Sequence, residues 1–329
     1  MTKGLNKCII FKIGRNNTLN EETIKILEEL SKEMDIKIEI LSYGWIFKLS
    51  KGDKVHYITG NFDINKTPSS KIASDKYATY EVLKTQNIPV INHVMIFNPE
   101  ERKNYIKENN IWDVVEKEFK KQGKLVIKPN YGYEGKDVFL CKTIDDVRKI
   151  VKYLLNKNNS ISIYPFYEIK KEYRAFYLDG EISLIYEKEK PFVIGNGKDK
   201  IKDLIKDLRL PHNEIVRNNL SKMDLEYVPR NSEKIELSWK HNLHGGATAK
   251  VLKKDDDIYK KIEELAIKAG SALDITFATI DIINTNNNEL YVLEINSGVA
   301  TGIFSKKVEN GRKLAKDMYR KVLEKVFEI

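Results

Sequence analysis

The sequence predicts an α/β protein, grading into α+β, built of two or three subdomains. Three observations carry this. The chain opens as strand, helix, strand, its second half holds two tight hairpins, and amphipathic helices separate the strand-rich stretches. At 329 residues it exceeds one small core, and its 41% hydrophobic and 32% charged residues are ordinary for a globular protein.

Residues 7–13, K-C-I-I-F-K-I, have the apolar run of a buried strand. Asn20 is the expected cap of the following helix, which places Ile24, Leu27, Leu30 and Met34 on one face. K-I-E-I-L-S-Y and V-H-Y-I-T read as further strands, giving a small βαβ domain with a parallel sheet that ends near Thr67-Pro68-Ser69-Ser70. It has no G-x-G-x-x-G, so a dinucleotide fold is not indicated. A helix follows with Ser74 as candidate cap, stopped by Asn87-Ile88-Pro89. Next come strand K-L-V-I-K-P, loop N-Y-G-Y-E-G-K, strand D-V-F-L-C and helix D-D-V-R-K-I-V-K-Y-L-L. E-Y-R-A-F-Y-L-D-G-E-I-S-L-I-Y is a hairpin about Asp179-Gly180. After a less regular insertion, about 190–237, come H-N-L-H-G-G, a long helix, a second hairpin and a C-terminal helix.

The second hairpin, Phe277 to Gly298, organises the rest. With Asn287-Asn288 at the turn, Ile280 faces Ile295 and Ile282 faces Leu293 on an apolar side. Asp281 then lies opposite Glu294 on the other side, with Asn296 two residues along. Like charges directly across a strand pair are unfavourable unless a cation separates them. Oxygen-only ligands suit a hard ion, Mg²⁺ or Mn²⁺. Taken alone, the pair is equally consistent with a solvated hairpin face.

Four other features carry chemistry. Lys128 ends a strand and is followed by Gly132 and Gly135, which let backbone approach a phosphate; an ordinary flexible hairpin has the same look. Lys76 lies near the start of its helix. Arg174 is placed to clamp an anion bidentately, or to pair with Glu172. Asn242 and His244 sit beside two glycines, as a polar cluster or as a surface turn.

The net charge of +9 is spread and interleaved with acids, which argues against nucleic acid as partner. No run reaches a membrane span and M-T-K-G-L-N-K lacks a signal-peptide core, so no membrane partner and a cytoplasmic location are expected. Cys8 and Cys141 read as buried free thiols.

In this order (Lys, strand-Lys-Pro-Gly loop, Y-P-F, Y-R, N-L-H-G-G, D…E-x-N) the motifs resemble the ATP-grasp ligases over about residues 71–305. The resemblance implies an N-terminal domain over 1–70, a linking segment over 71–120, a lid over 121–163 and a C-terminal subdomain over 164–329, the two subdomains clamping ATP. It implies nucleotide contacts from Lys76, Lys128, the loop 130–136 with Gly132 and Gly135, and the hinge Tyr164-Pro165-Phe166. Two Mg²⁺ (or Mn²⁺) ions are implied on Asp281, Glu294 and Asn296. H-N-L-H-G-G is similar to the N-x-x-x-G-G element of peptide-extending ligases such as the ribosomal-protein glutamate ligases. V-I-G-N-G-K resembles the V-x-G-D-G-K of cyanophycin synthetases and bifunctional glutathione synthetases, with Asn196 in place of Asp. Tyr164-Pro165 stand where the family often has Gln-Glu, and Pro165 offers no N–H.

The implied reaction is ligation of a carboxylate to an amine of an amino acid or peptide through an acylphosphate. Arg174 and Asn242 are expected nearest that group, and His244 is the candidate to take the amine's proton. A phosphotransferase and a non-catalytic nucleotide-binding regulator are the alternatives, and a homo-oligomer is left open.

Overall fold

The computed structural model describes residues 19–329 apart from 61, 63, 100–110, 133, 209, 212 and 213. The expected strand at 7–13 and Cys8 lie outside the described residues. The chain divides into two compact units. Residues up to Asn65 group with Gly298–Ile329, and Lys66–Ser297 form the other.

In the first unit, helix α1 (Glu21–Glu33) is capped as expected, Asn20 Oδ1 accepting from Thr23 N at 2.9 Å, and it buries Ile26, Leu27 and Leu30. Strands β1 (Lys37–Leu41), β2 (Ile46–Lys51) and β3 (Lys54–Thr59) form an antiparallel meander, not the expected parallel sheet. The links between them are too short for a parallel crossover, which takes about a dozen residues. The chain's last stretch was expected to belong with residues 164–329 as one subdomain. Its helix Gly311–Phe327 instead packs on α1, where Arg312 donates to Glu22 and Glu29 at 2.6 Å and Tyr319 stacks on Phe62 at 4.4 Å.

The second unit begins with helices α2 (Thr67–Ser74) and α3 (Lys76–Thr85). The cap of α3 is Asp75, not Ser74. Its Oδ1 accepts from Tyr77 N and Ala78 N at 3.0 and 2.9 Å, while Ser74 closes the preceding helix. Strand β4 (Val94–Phe97), helix α4 (Ile111–Gln122), strands β5 (Leu125–Pro129) and β6 (Phe139–Cys141), helix α5 (Ile144–Leu155) and strand β7 (Ser160–Pro165) follow. The strands make one antiparallel sheet in the order β4-β7-β5-β6, so a strand from the expected linker joins the lid. The core gathers Val115, Leu125, Ile127, Cys141, Val147, Val151 and Ile163. Side chains alternate along a strand, so Lys128 and Tyr164 belong to the opposite face.

Strands β8 (Ile169–Leu178) and β9 (Glu181–Glu189) form the expected hairpin, with φ of 49° at Asp179 and 88° at Gly180. The insertion contributes β10 (Phe192–Ile194), α6 (Ile201–Leu204), α7 (Glu214–Leu220) and β11 (Lys234–Glu236) around Val193, Ile201 and Leu237. Strand β12 (Thr248–Val251), helix α8 (Asp257–Ala272), and strands β13 (Phe277–Thr285) and β14 (Leu290–Asn296) complete the unit. They close an antiparallel sheet β12-β9-β8-β13-β14 with α8 on one face, over Ala175, Ile185, Ala278, Ile280, Ile282 and Ile295. No helix among the described residues is long and apolar enough to cross a membrane.

The hairpin register needs one correction. Ile280 faces Ile295 and Asp281 faces Glu294 as expected, but a bulge makes Val292, not Leu293, the partner of Ile282. The turn closes one residue earlier than expected, Asn288 N donating to Thr285 O at 2.9 Å, and Leu293 absorbs the slip. Leu293 then packs with Ile91, Tyr164 and Ile283.

Candidate functional site

The face of the large sheet away from α8 carries a row of side chains in register. Tyr186, Arg174, Asp281 and Glu294 lie side by side across β9, β8, β13 and β14. Because Ile280 and Ile282 are committed to the α8 core, strand alternation turns Asp281 to the other face, where it is 3% exposed. A buried carboxylate needs partners. Arg174 donates Nε to Oδ1 and Nη2 to Oδ2, both at 2.6 Å, and Lys188 Nζ lies 3.0 Å from Oδ1. Lys188 also donates to Glu172 Oε1 at 2.6 Å, and His241 Nδ1 stands 3.7 Å from Glu172 Oε2. Burial alone would raise the Asp281 pKa, but Arg174 and then Lys188 outweigh it and hold the carboxyl well below its ordinary range. Glu172, with burial dominant over Lys188, is raised. So Arg174 pairs with Asp281, and Glu172 takes Lys188.

Glu294 is half-buried. Burial raises its pKa, yet Lys76 and Lys128 together bring it below the ordinary value. Lys128 is buried, which pushes its ammonium down to about 8 against the pull of Glu294. Its Nζ sits 4.3 Å over the Tyr164 ring, which stacks on His93 at 4.2 Å. Burial pushes His93 down to about 4. The hinge differs from expectation. Tyr164 and Pro165 are still strand, pairing with Val126 and Leu125, and the Phe166 N–H already donates to Lys124 O at 3.1 Å. Neither Pro165 nor Phe166 offers an unused main-chain donor.

The glycine loop is tied down at both ends. Lys76 Nζ donates to Gly132 O at 3.0 Å, and Asn130 joins the network by donating Nδ2 to Asp75 Oδ1 at 2.8 Å and accepting Ser162 Oγ at 2.8 Å. Of the two glycines only Gly135 is required. Its φ is +69° and a Cβ there would lie 2.5 Å from Asn242 Nδ2, whereas one at Gly132 would meet Pro129 at an ordinary 3.6 Å.

Asn242 and His244 are brought to this loop. Asn242 Oδ1 accepts from His244 N at 2.9 Å and its Nδ2 donates to Glu134 O at 2.6 Å. His244 Nε2 is 3.4 Å from Glu134 Oε1. Both were expected at the reacting groups. Here both side chains are engaged with Glu134, because the 240–244 segment docks on the loop.

Sequence reasoning missed Lys188 and His241, and Glu172 as a buried member of the cluster. Read from the Asp179-Gly180 turn alone, Glu172 would face Glu187. A bulge between Phe176 and Tyr177 moves Lys188 opposite it.

The donor set on this face is two carboxylates and a carboxamide, which fits a hard cation. Among the described residues no three His, Cys, Asp or Glu side chains gather as a metal site, so the amide is needed as a third donor. Asn296 Nδ2 is buried and makes no close hydrogen bond, though it lies near enough to the Glu294 carboxylate to help lower its pKa, and a half-turn of that amide presents its oxygen instead. Glu294 therefore fits as it stands, and Asn296 fits with its amide turned. Asp281 fits once the Arg174 fork opens.

Residues 73–189 and 228–322 match the RimK-like ATP-grasp domain, and the gap between them falls inside the expected insertion. The chain is 26% identical over 339 residues to the glutathione biosynthesis bifunctional protein of Clostridium perfringens, covering 93% of this chain and 40% of that protein. It is 23% identical over 236 residues to the cyanophycin synthetase of Trichormus variabilis, covering 66% of this chain and 24% of that one. It thus spans about two-fifths or less of the length of these curated relatives. In fold it is similar to a bifunctional glutathione synthetase from Pasteurella multocida, with TM-score 0.57 and 16% identity over 93% of this chain and 45% of that one. A D-alanine–D-alanine ligase from Bacillus anthracis gives TM-score 0.53 and 15% identity over 80% and 69%. With more than half of its residues matched, and with the Gly-loop lysines and the acidic hairpin in one unit, the chain belongs to the RimK-like ATP-grasp family.

Proposed function

We propose that the protein is an ATP-dependent ligase that joins a carboxylate to the amine of an amino acid or short peptide. The observation that carries this reading is the convergence of Arg174 and Lys188 on Asp281, and of Lys76 and Lys128 toward Glu294, along one sheet face. The names of the similar proteins, glutathione and cyanophycin synthesis, support the substrate class.

Bringing a carboxylate to a triphosphate sets two anions together, and fixed cations lower that cost. Lys76 and Lys128 hold the phosphates. Arg174 and Lys188 stand ready to transfer their pairing from Asp281 to the incoming groups. Divalent ions held by Glu294, Asn296 and Asp281 would supply further charge neutralisation at the phosphates. The substrate carboxylate oxygen bonds to the γ-phosphorus as the bond to ADP breaks. The amine nitrogen then bonds to the acyl carbon, phosphate leaves with the C–O electron pair, and the nitrogen loses a proton. The glycine loop excludes water, which would hydrolyse the acylphosphate.

Phosphate release screened across amino acids and short peptides, with mass spectrometry of the products, tests this. Release that depends on an amine and yields an amide is the expected outcome. A stable phosphorylated product without amide would overturn it in favour of a phosphotransferase.

A further inference from the structure

Two donors on the 240–242 segment take consecutive carbonyls of the glycine loop. Asn242 Nδ2 donates to Glu134 O at 2.6 Å, and Lys240 Nζ to Gly135 O at 3.4 Å. A trans peptide points its N–H opposite its C=O, so holding these two carbonyls turns the N–H groups of residues 135 and 136 the other way. Successive backbone N–H groups aimed in one direction make an anion-binding concavity. The segment that does the holding is itself fixed. Gly245 N and Ala247 N donate to Asn242 O at 2.9 and 3.1 Å, Asn242 caps its own turn by accepting from His244 N, and Leu243 and Gly245 are buried. The fit is close on the loop side too, since Gly135 alone leaves room for the Asn242 amide.

We propose that Asn242 is a positioning residue that seats the glycine loop on a bound triphosphate by holding the Glu134 carbonyl, not a group that touches the reacting carbon. This rests on the ligase reading above and assigns one of its residues a different task. Binding should then depend on Asn242 more than chemistry does.

The test uses the full chain, the non-hydrolysable analogue AMP-PNP with Mg²⁺, and tryptic cleavage after Lys136. Asn242→Asp is the decisive variant, because its carboxylate still caps His244 N but has no proton to donate to Glu134 O. Asn242→Ala removes both bonds. For each variant we expect AMP-PNP to bind at least about tenfold more weakly, tenfold being the scale of the one hydrogen bond to Glu134 O that both variants lose. We also expect Lys136 to stay cleavable under nucleotide concentrations that protect wild type. KM for ATP should rise more than kcat falls. Gly135→Ala should weaken binding in wild type and do so less in the Asn242→Ala background, where the obstructing amide is gone. Should Asn242→Ala fail to fold, Asn242→Asp carries the test alone. Wild-type AMP-PNP affinity and loop protection in Asn242→Asp, with loss confined to kcat, would overturn the proposal. If wild type itself does not bind AMP-PNP, the ligase reading falls and this proposal with it.

Discussion

Arg174 grips both carboxylate oxygens of Asp281 from the neighbouring strand, Nε to Oδ1 and Nη2 to Oδ2 at 2.6 Å each. Asp281 lies directly across from Glu294, and that opposition of acids would be untenable without a cation. In the described structure the cations are side chains, the Arg174 fork and the Lys188 ammonium. A bidentate pair of this kind fixes geometry as well as charge.

Removing one partner of a buried pair leaves an uncompensated charge, at a cost of about 3 kcal/mol. Arg174→Met should therefore lower stability by that order in denaturant melts, less whatever Lys188 recovers. Combining it with Asp281→Leu should restore most of the loss, since an apolar pair of similar volume removes the stranded carboxylate. Turnover should be absent in both variants. Undiminished stability in Arg174→Met would mean the ion pair is not formed in solution.

Lys128 gives a pH dependence of binding. Burial pushes its ammonium down to about 8, below the ordinary lysine value, so the free site loses this charge as pH rises through that region. A triphosphate beside it favours the charged form, so binding above that pH takes up a proton. AMP-PNP affinity should be flat below about pH 8 and then fall by at most about tenfold per pH unit. In Lys128→Arg, whose guanidinium stays charged, the profile should be flat over the same range. Titrations at a series of pH values read both, and a wild-type profile without the alkaline fall would remove Lys128 from the phosphate site.

His93 and His241 give a pH dependence of stability. Burial pushes each down to about 4 from an ordinary 6.5. The folded chain then binds fewer protons than the unfolded one between those values, so stability falls as pH drops through the window. Each histidine contributes about 3 kcal/mol across the full span. His93→Phe keeps a ring against Tyr164, and its stability should decline less between about pH 6.5 and 4.5. An equal decline in both proteins would mean that His93 is hydrated.

Much of this was legible beforehand. The pattern of Ile280, Ile282 and Ile295 set the register that places Asp281 against Glu294, because a one-residue slip would bury an acid in the α8 core. Lys128 could be placed at the end of its apolar strand, but the glycine loop after it has the look of an ordinary flexible hairpin. Two bulges were not legible, and each moved a residue that matters: Leu293 left the apolar face, and Lys188 came opposite Glu172. A bulge adds one residue without a mark in the hydrophobic pattern, so the pairing on one side of it is shifted against what the pattern predicts. The antiparallel meander of β1–β3 was missed because Ile46–Lys51, half of it polar, did not register as a strand. The docking of Asn242 on Glu134 joins residues 108 apart in sequence, and no local pattern announces such a contact.

The most direct measurement is Mn²⁺ binding, read by electron paramagnetic resonance in the presence of AMP-PNP, in wild type and in Glu294→Gln. Nucleotide-dependent Mn²⁺ binding should occur in wild type and weaken at least about tenfold in the variant, with an unchanged Tm. Equal Mn²⁺ affinity in the two proteins would contradict the assignment of the acidic hairpin to metal and triphosphate.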